Sequence, residues 1–461
     1  MITINSINTD VKKVIAEALN LNLNDINNEL EYRSISEWDS LGHVNILLSL
    51  EDNFNIVIQD EDRDQLTDVL KITNYIASIR DFDIKEKEEK TFDDEKDTIY
   101  RGLANINFDT TKISSIDGKN GELLYRGISI SELIEKSSFE EVSYLLIYGY
   151  LPSEKQLEGH KTRLFEATVI PEEIFPIIPI LKNLRPIDYL RTIISFLGGI
   201  TRPEDNEKNL IDVLAKVPLL IASQVACRNN KELMKPDPKL SYAANFLYML
   251  KGEKPTLKES NIFDRILILH ADHGSNASAF AARVAIGTEA DLYSALTSAI
   301  STFSGELHGG AIEKVLEMVE EIGSRNNVEH YVQEKIKFNK PIMGFGHRIY
   351  KTEDPRAVHL KRILEEIHIT NNRNTYEILT KLVEVMRPYM DKGMNINVDF
   401  YASAIYESLN IPKDIYISLF SMGRLPGWLA QIMEQRNNNI LIRPVMRYIG
   451  ERKKYIPIEE R

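Results

Sequence analysis

The sequence holds one cysteine, Cys227, and two tryptophans, and it has no surplus of positive charge. A single cysteine excludes an intrachain disulfide framework and any cysteine-based zinc cluster. No apolar run approaches the ~18 residues of a membrane span. Met1 to Asn5 lacks the basic flank and apolar core of a signal peptide, so a cytoplasmic location without a membrane role is expected. Lys and Arg total 56 against 69 Asp and Glu, a net charge of −13. The imbalance is confined to the front of the chain. Residues 1–80 hold 14 acidic and 6 basic side chains, residues 81–98 hold 9 and 4, and the remainder is balanced. No basic excess favours nucleic acid as a partner. At 461 residues the chain is too long for one core, and two or three domains are expected.

What is present is mostly helical pattern. In residues 1–80, Val11, Val14, Ile15, Ala18 and Leu19 fall at helical spacing, and Asn22 to Asn28 is turn chemistry. Leu41, Val44, Leu47, Leu48 and Phe54 form a second stripe, with Asp39 or Ser40 as its N-cap, and a last helix is expected near Val69 to Ile79. Residues 81–98 mix charges of both signs and read as a solvated tether, with a reach of roughly 60 Å if fully extended, or else as a stiff charge-paired helix of shorter reach. Beyond it, helices are expected over 190–197, 219–226, 240–249 and 376–386. Ser138 and Glu141 have the spacing of a capping box. Asp188 and Asp237 read as cap or turn residues, Pro152, Pro171 and Pro218 as punctuation, and 106–116 as the place for any short strand.

Four stretches carry chemistry. In the first, Leu292 to Phe303 and Ala311 to Ile322 have helical spacing on either side of Ser304-Gly305-Glu306-Leu307-His308-Gly309-Gly310. A histidine at such a turn, near a positive helix end, is expected to be neutral and able to donate to a substrate oxygen. In the second, His270-Ala271-Asp272-His273 has no third ligand nearby, and no metal is expected. The third, Met343-Gly344-Phe345-Gly346-His347-Arg348, is a glycine loop followed by Lys351 and Arg356, a cluster suited to phosphate or carboxylate. In the fourth, Asp399 precedes an apolar helix and reads either as an N-cap or as a catalytic base. Together these residues suit one reaction type. A carboxylate removes the α-proton of an acyl thioester, neutral histidines hold the oxygens that gain charge, and arginines clamp a dicarboxylate.

Two resemblances sharpen this. Ser36 to Val44 with Leu50 to Phe54 resembles an acyl or peptidyl carrier protein, which implies a four-helix bundle over residues 1–80 and makes Ser40 the phosphopantetheine attachment site. The plainer reading leaves Ser40 as an N-cap only. Residues 99–461 resemble the citrate synthase family, including its 2-methylcitrate synthase members. The resemblance is carried by 105–117, 121–127, 138–142, 270–283, 291–294, 307–310, 343–356, 397–400 and 442–444. It implies an all-α homodimer in which each subunit has a large domain and a small one over about 311–403. It makes Asp399 the base, His308 the group that stabilises the enol, and His347 the group on the oxaloacetate carbonyl. It gives oxaloacetate to His273, Arg356 and Arg424, with Arg443 contributed by the other subunit. Ile342, Met343, Gly344, Phe345, Gly346 and Lys351 would lie against coenzyme A or a pantetheine arm. The sequence departs from the family at Gly274, Glu306 and Ile312, where Glu, Pro and Asn are usual.

The expected function is condensation of an acyl thioester, held on the fused carrier, with oxaloacetate or a related 2-oxo dicarboxylate. It would need a phosphopantetheinyl transferase and an acyl-loading enzyme as partners. The alternatives are an ordinary synthase using coenzyme A thioesters, with the front module for docking or regulation, and a non-catalytic carrier scaffold.

Overall fold

The computed structural model describes residues 4–461 except 55, 57, 59, 64, 80–98, 104–105, 202–205, 339, 347–348, 351, 369–372 and 391–392. His347, Lys351 and the charged tether at 81–98 therefore lie outside the described residues.

The front of the chain contains α1 (Ile4–Leu19), α2 (Ser40–Phe54), a single turn α3 (Asp60–Arg63) and α4 (Val69–Ile79). Val11, Ile15, Ile46, Leu50, Val69, Ile72 and Ile76 are buried together with Trp38, so these helices close a hydrophobic core of their own. Packing of α1 against both α2 and α4 builds this core. The helix α2 starts where its cap dictates. Asp39 Oδ1 accepts from the backbone N–H of Leu41 and of Gly42, each at 2.9 Å. Asp39 is thus the N-cap, and Ser40 is the first helical residue.

The rest of the chain begins with a three-stranded antiparallel meander, β1 (Ser114–Asp117), β2 (Glu122–Tyr125) and β3 (Ile128–Ser129). This corrects the all-α expectation to a mostly helical fold. The strands are two to four residues long, too short to give a clear alternation in the sequence. Helices α5 (Ile130–Lys136), α6 (Phe139–Tyr148), α7 (Glu154–Glu166), α8 (Ile177–Leu181), α9 (Pro186–Ile200), α10 (Asn206–Arg228), α11 (Tyr242–Lys251), α12 (Leu257–His270), α13 (Ala277–Gly287) and α14 (Leu292–Phe303) follow. Then come α15 (Ala311–Ile322), α16 (Val328–Lys337), α17 (Pro355–His368), α18 (Arg373–Met390), α19 (Val398–Ser408) and α20 (Tyr416–Asn437).

Helices α15 to α19 pack mainly on one another, while α20 runs through the middle of the others and touches α6, α9, α10, α12, α13 and α14. Close approach makes this possible. Gly427 N–H donates to the Ala271 carbonyl at 3.0 Å, and a Cβ there would collide with that carbonyl and with Asp272.

Three local expectations change. Pro218 lies inside α10 instead of ending a helix. That helix is long and apolar enough to cross a membrane by length and composition, but most of its apolar stretch is buried in the core. The Ser138 capping box is half formed: Ser138 accepts from Glu141 N–H, while the Glu141 carboxylate takes the Ser137 hydroxyl. After α20 the chain runs on to Arg461 with a single 3-10 turn, leaving Ile440, Leu441, Val445, Met446, Tyr448 and Ile449 exposed.

Candidate functional site

Arg424, at the centre of α20, is 2 % exposed and organises the site. Its Nε donates to the His270 carbonyl, and its guanidinium lies 5.2 Å from the centre of the Phe420 ring. Burial brings it down to about 10, with Arg356 pushing the same way and Asp272, Tyr125 and Asp399 opposing. Its charge also reaches His308 and His270. One buried cation therefore sits among the groups singled out from the sequence.

Asp399 enters on α19. The N-cap of that helix is Asn397, whose side chain accepts from Asp399 N–H at 3.1 Å, so Asp399 is not the cap. Its carboxyl is left available: it is buried, and Oδ1 has no hydrogen-bond partner among the described residues. Burial pushes it up to about 7, Asp354 adds to the rise, and Arg356 and Arg424 restrain it. A carboxyl displaced by burial beside fixed cations is the kind of group that suits proton transfer near neutrality.

His308 lies in the turn between α14 and α15. Gly309 fits under Phe303, where a Cβ would collide with the ring, and Phe303 meets the imidazole edge-on at 4.8 Å between centroids. The positive helix end that the ring faces belongs to α13. Ser278 N–H, in the first turn of α13, points at His308 Nε2 at 3.3 Å, and Ser278 Oγ lies 2.9 Å away. Trp428 Nε1 in turn donates to that hydroxyl at 3.0 Å. Burial, helped by Arg424, brings the imidazole down to about 4. The expectation of a neutral ring stands, with burial rather than a helix end as the leading cause.

Arg356 opens α17 in a bidentate pair with Asp354, Nε to Oδ1 at 3.0 Å and Nη2 to Oδ2 at 2.7 Å, both side chains being buried. The pair raises the arginine against its burial. His273 Nε2 lies 3.2 Å from the Tyr350 hydroxyl. The Ile342–Gly346 loop is tied to the approach to α19: Gly346 N–H donates to the Asn395 carbonyl at 2.8 Å and Asn397 N–H to the Gly344 carbonyl at 3.0 Å. Arg443 stands apart, exposed in the C-terminal extended segment. A separate polar crevice of about 420 Å³ between α7 and α10, bordered by Arg163, Glu166 and Asp212, contains none of these residues.

A second group surrounds Ser40. Its hydroxyl lies 2.9 Å from the Tyr32 hydroxyl and accepts from Arg33 Nη2 at 3.3 Å, and that guanidinium sits over the Tyr32 ring at 5.0 Å. Arg33 has a backbone φ of 67°, unusual for a side chain of its size, and its N–H is held by the Trp38 carbonyl at 2.7 Å. The N–H groups of Leu41 and Gly42 in the first turn of α2 are occupied by Asp39, so the positive partner at Ser40 is Arg33.

Residues 102–445 match the family profile described as citrate synthase, C-terminal domain. The chain belongs to the citrate synthase family. Citrate synthase 2 of Bacillus subtilis is 41 % identical over 374 residues, which cover 79 % of this chain and 100 % of that relative. Citrate/2-methylcitrate synthase of the same organism is 37 % identical over 368 residues, 78 % of this chain and 98 % of the relative. Among solved structures, citrate synthase of Thermotoga maritima matches with a TM-score of 0.74 at 41 % identity, covering 79 % of this chain and 99 % of that one. The citrate synthase of Thermoplasma acidophilum, in a ternary complex with carboxymethyl coenzyme A and oxaloacetate, matches with a TM-score of 0.75 at 32 % identity, covering 79 % and 100 %. The family match begins after the tether, so the front helices stand outside it.

Within the citrate synthase part, the departures from the family pattern are resolved individually. Gly274 has φ +54° and its N–H donates to Ser114 and Asp272, while a Cβ would stand 3.1 Å from Ile116. Ile312 is fully buried in α15, whereas Glu306 is exposed and is not among the causes of the His308 shift. The sequence reading passed over four groups. Asp354 stands two residues before Arg356, a signal that was available. Ser278 lies inside a stretch already singled out. Tyr125 and Ser114 come from the meander, inside stretches singled out only as family text, and hold Asp272: Tyr125 Oη donates to its carbonyl at 3.0 Å, and Ser114 Oγ donates to its carboxylate at 2.5 Å.

Proposed function

We propose that this enzyme joins an acyl thioester to oxaloacetate, or to a related 2-oxo dicarboxylate, by Claisen-type condensation, and that the acyl donor is carried on Ser40. For the condensation, one observation carries the reading: a buried carboxyl held near 7, Asp399, shares the field of Arg424 with a neutral imidazole, His308. Asp399 takes the proton from the carbon next to the thioester carbonyl. The electron pair moves onto the thioester oxygen, where His308 donates a hydrogen bond. Ser278 N–H at 3.3 Å and Asn276 Oδ1 at 3.2 Å both face Nε2 and hold the ring in place for that oxygen. The nucleophilic carbon then attacks the ketone carbon of the acceptor, whose oxygen His347 polarises. Hydrolysis of the resulting thioester frees the thiol. Arg356, Arg424 and His273 grip the carboxylates, with Arg443 reaching in from a second subunit. The uncovered apolar residues beside Arg443 support a homodimer that buries them. Ile342 to Gly346 line the thioester side, and Lys351 is assigned there by resemblance alone.

For the donor, Ser40 stands as the first residue of α2 with Arg33 and Tyr32 at its hydroxyl, partners suited to a phosphodiester anion. A phosphopantetheine arm there supplies a thiol that holds the acyl group. A second reading is favoured by the relatives, whose whole length matches without the front helices. In it, the donor is a free coenzyme A thioester such as acetyl-CoA or propionyl-CoA, and the front helices serve another purpose.

Intact mass after incubation with coenzyme A and a phosphopantetheinyl transferase tests the donor reading. The wild type gains one phosphopantetheine and Ser40→Ala gains none; an adduct on Ser40→Ala, or none on the wild type, overturns it. Asp399→Asn is expected to lower kcat by about 10²- to 10⁴-fold with either form of donor, and full activity in that variant overturns the mechanism.

A further inference from the structure

We infer that the front helices dock on their own main body through Leu41, beside the loop that leads to Asp399, so that the residue carrying the donor is held next to the thioester side of the same chain's site. The purpose of this contact rests on the reading of Ser40 as the attachment residue; the contact itself does not.

The first observation is a misplaced hydrophobe. Among the described residues of 4–79, every other buried apolar side chain belongs to the core closed by α1, α2 and α4. Leu41 is 2 % exposed and packs instead with the hydrophobic core of residues 113–432. It immediately follows Ser40 at the start of α2. A leucine that leaves its own bundle's core and is still buried is acting as an anchor.

The second observation is the rest of the seam. Leu19, Asn20, Leu21, Ser36 and Glu37 from the front helices face Phe338 across a crevice of about 340 Å³. Phe338 ends α16, and its neighbours Lys337 and Lys340 are exposed. The front module is acidic throughout, with 14 acidic against 6 basic residues over 1–80. An acidic bundle thus meets a basic helix end around an apolar contact, the complementarity expected of a specific but reversible interface.

The third observation is what lies next along the chain. From Phe338 the backbone passes through Ile342 to Gly346, Phe345 pairs with Ile396, and Asn397 caps the helix that carries Asp399. The seam is therefore one loop away from the carboxyl proposed as the base. A donor tethered this close reacts at an effective concentration that a freely diffusing donor does not reach.

The test uses the full-length protein with Cys227→Ser, Glu37→Cys and Phe338→Cys, treated with a short bis-maleimide. Docking within one chain gives a subunit-sized cross-linked product on a denaturing gel. Adding Leu41→Ala or Leu41→Glu lowers its yield on the order of tenfold while circular dichroism is unchanged, reflecting the lost burial. Glu37→Cys paired with Ile180→Cys, an exposed position on α8, gives none. A product of twice the subunit size, no product, or a yield indifferent to Leu41 overturns the inference. The cross-link does not require Ser40 to be modified. An unmodifiable Ser40 with an intact cross-link removes the donor reading alone, and a modified Ser40 without the cross-link removes the docking alone.

Discussion

Burial displaces Asp399 and His308 in opposite directions, which suits the roles proposed for them. Leaving water disfavours charge, so the carboxyl is pushed up to about 7 and the imidazole down to about 4. Arg424 acts in the downward direction on both, opposing burial at the carboxyl and adding to it at the imidazole. A base must be unprotonated to act, so activity is lost as pH falls through the pKa of Asp399. His308 is already neutral over that range and adds no limb of its own. We expect kcat/KM with a coenzyme A thioester to rise tenfold per pH unit below about 7 and to level off above it. The pKa of that limb should change little with temperature, as for a carboxyl, whereas an imidazole limb moves. A limb near 4, where an ordinary aspartate titrates, or one that shifts strongly on warming, would show that Asp399 does not set the rate.

At the scale of elements, apolar spacing located helices better than it located their ends and the links between them. The helices on either side of His308 run over Leu292–Phe303 and Ala311–Ile322, as their spacing required, and α4 spans Val69–Ile79 as expected. Periodicity could not reveal that Asp39 rather than Ser40 caps α2, nor that Asn397 rather than Asp399 caps α19. In each case neighbouring residues can both cap, and only the direction of the side chain decides. Of the meander only the start of β1 falls in the 106–116 stretch where a short strand was expected; β2 and β3 are too short to show alternation, although β2 supplies the Tyr125 that holds Asp272. Arg356 stood out locally, in the cluster after the glycine loop, but Arg424 was legible only through resemblance, since nothing around it in the sequence marks it off from an arginine that pairs with an acid. The glycine loop was legible as a loop, and its two glycines prove unequal. Gly344 has φ +83°, and a Cβ there would stand 2.6 Å from the Phe400 ring; Gly346 has φ +88° with nothing within 4 Å. Both alanine variants meet backbone strain of about 1–3 kcal/mol, and Gly344→Ala must also move the loop off α19. We therefore expect Gly344→Ala to lose more stability in urea unfolding and to raise KM for the thioester more than KM for oxaloacetate. Equal effects from the two variants would mean that the contact with Phe400 does not position the loop.

For the molecule as a whole, two separate cores joined through a narrow seam imply two separate stabilities. The core of residues 4–79 is small, and a chain of that length buries a lower fraction of its surface than a longer one. Its net negative charge adds self-repulsion that salt relieves. Residues 113–432 share one extended core threaded by α20. The front helices should therefore melt first, in a transition that moves up with ionic strength, followed by the main body. Leu50 is fully buried in the front core and lies outside the seam that Leu41 anchors. Leu50→Ala should cost about 2–5 kcal/mol there, lowering the first transition alone. Condensation of a free coenzyme A thioester should survive at the wild-type rate, because every group proposed to meet that substrate comes from outside the front helices. Scanning calorimetry and steady-state rates on the same sample distinguish the outcomes. A single transition displaced by Leu50→Ala, with loss of condensation, would mean that the front helices are built into the stability of the catalytic body and are not a module resting on it.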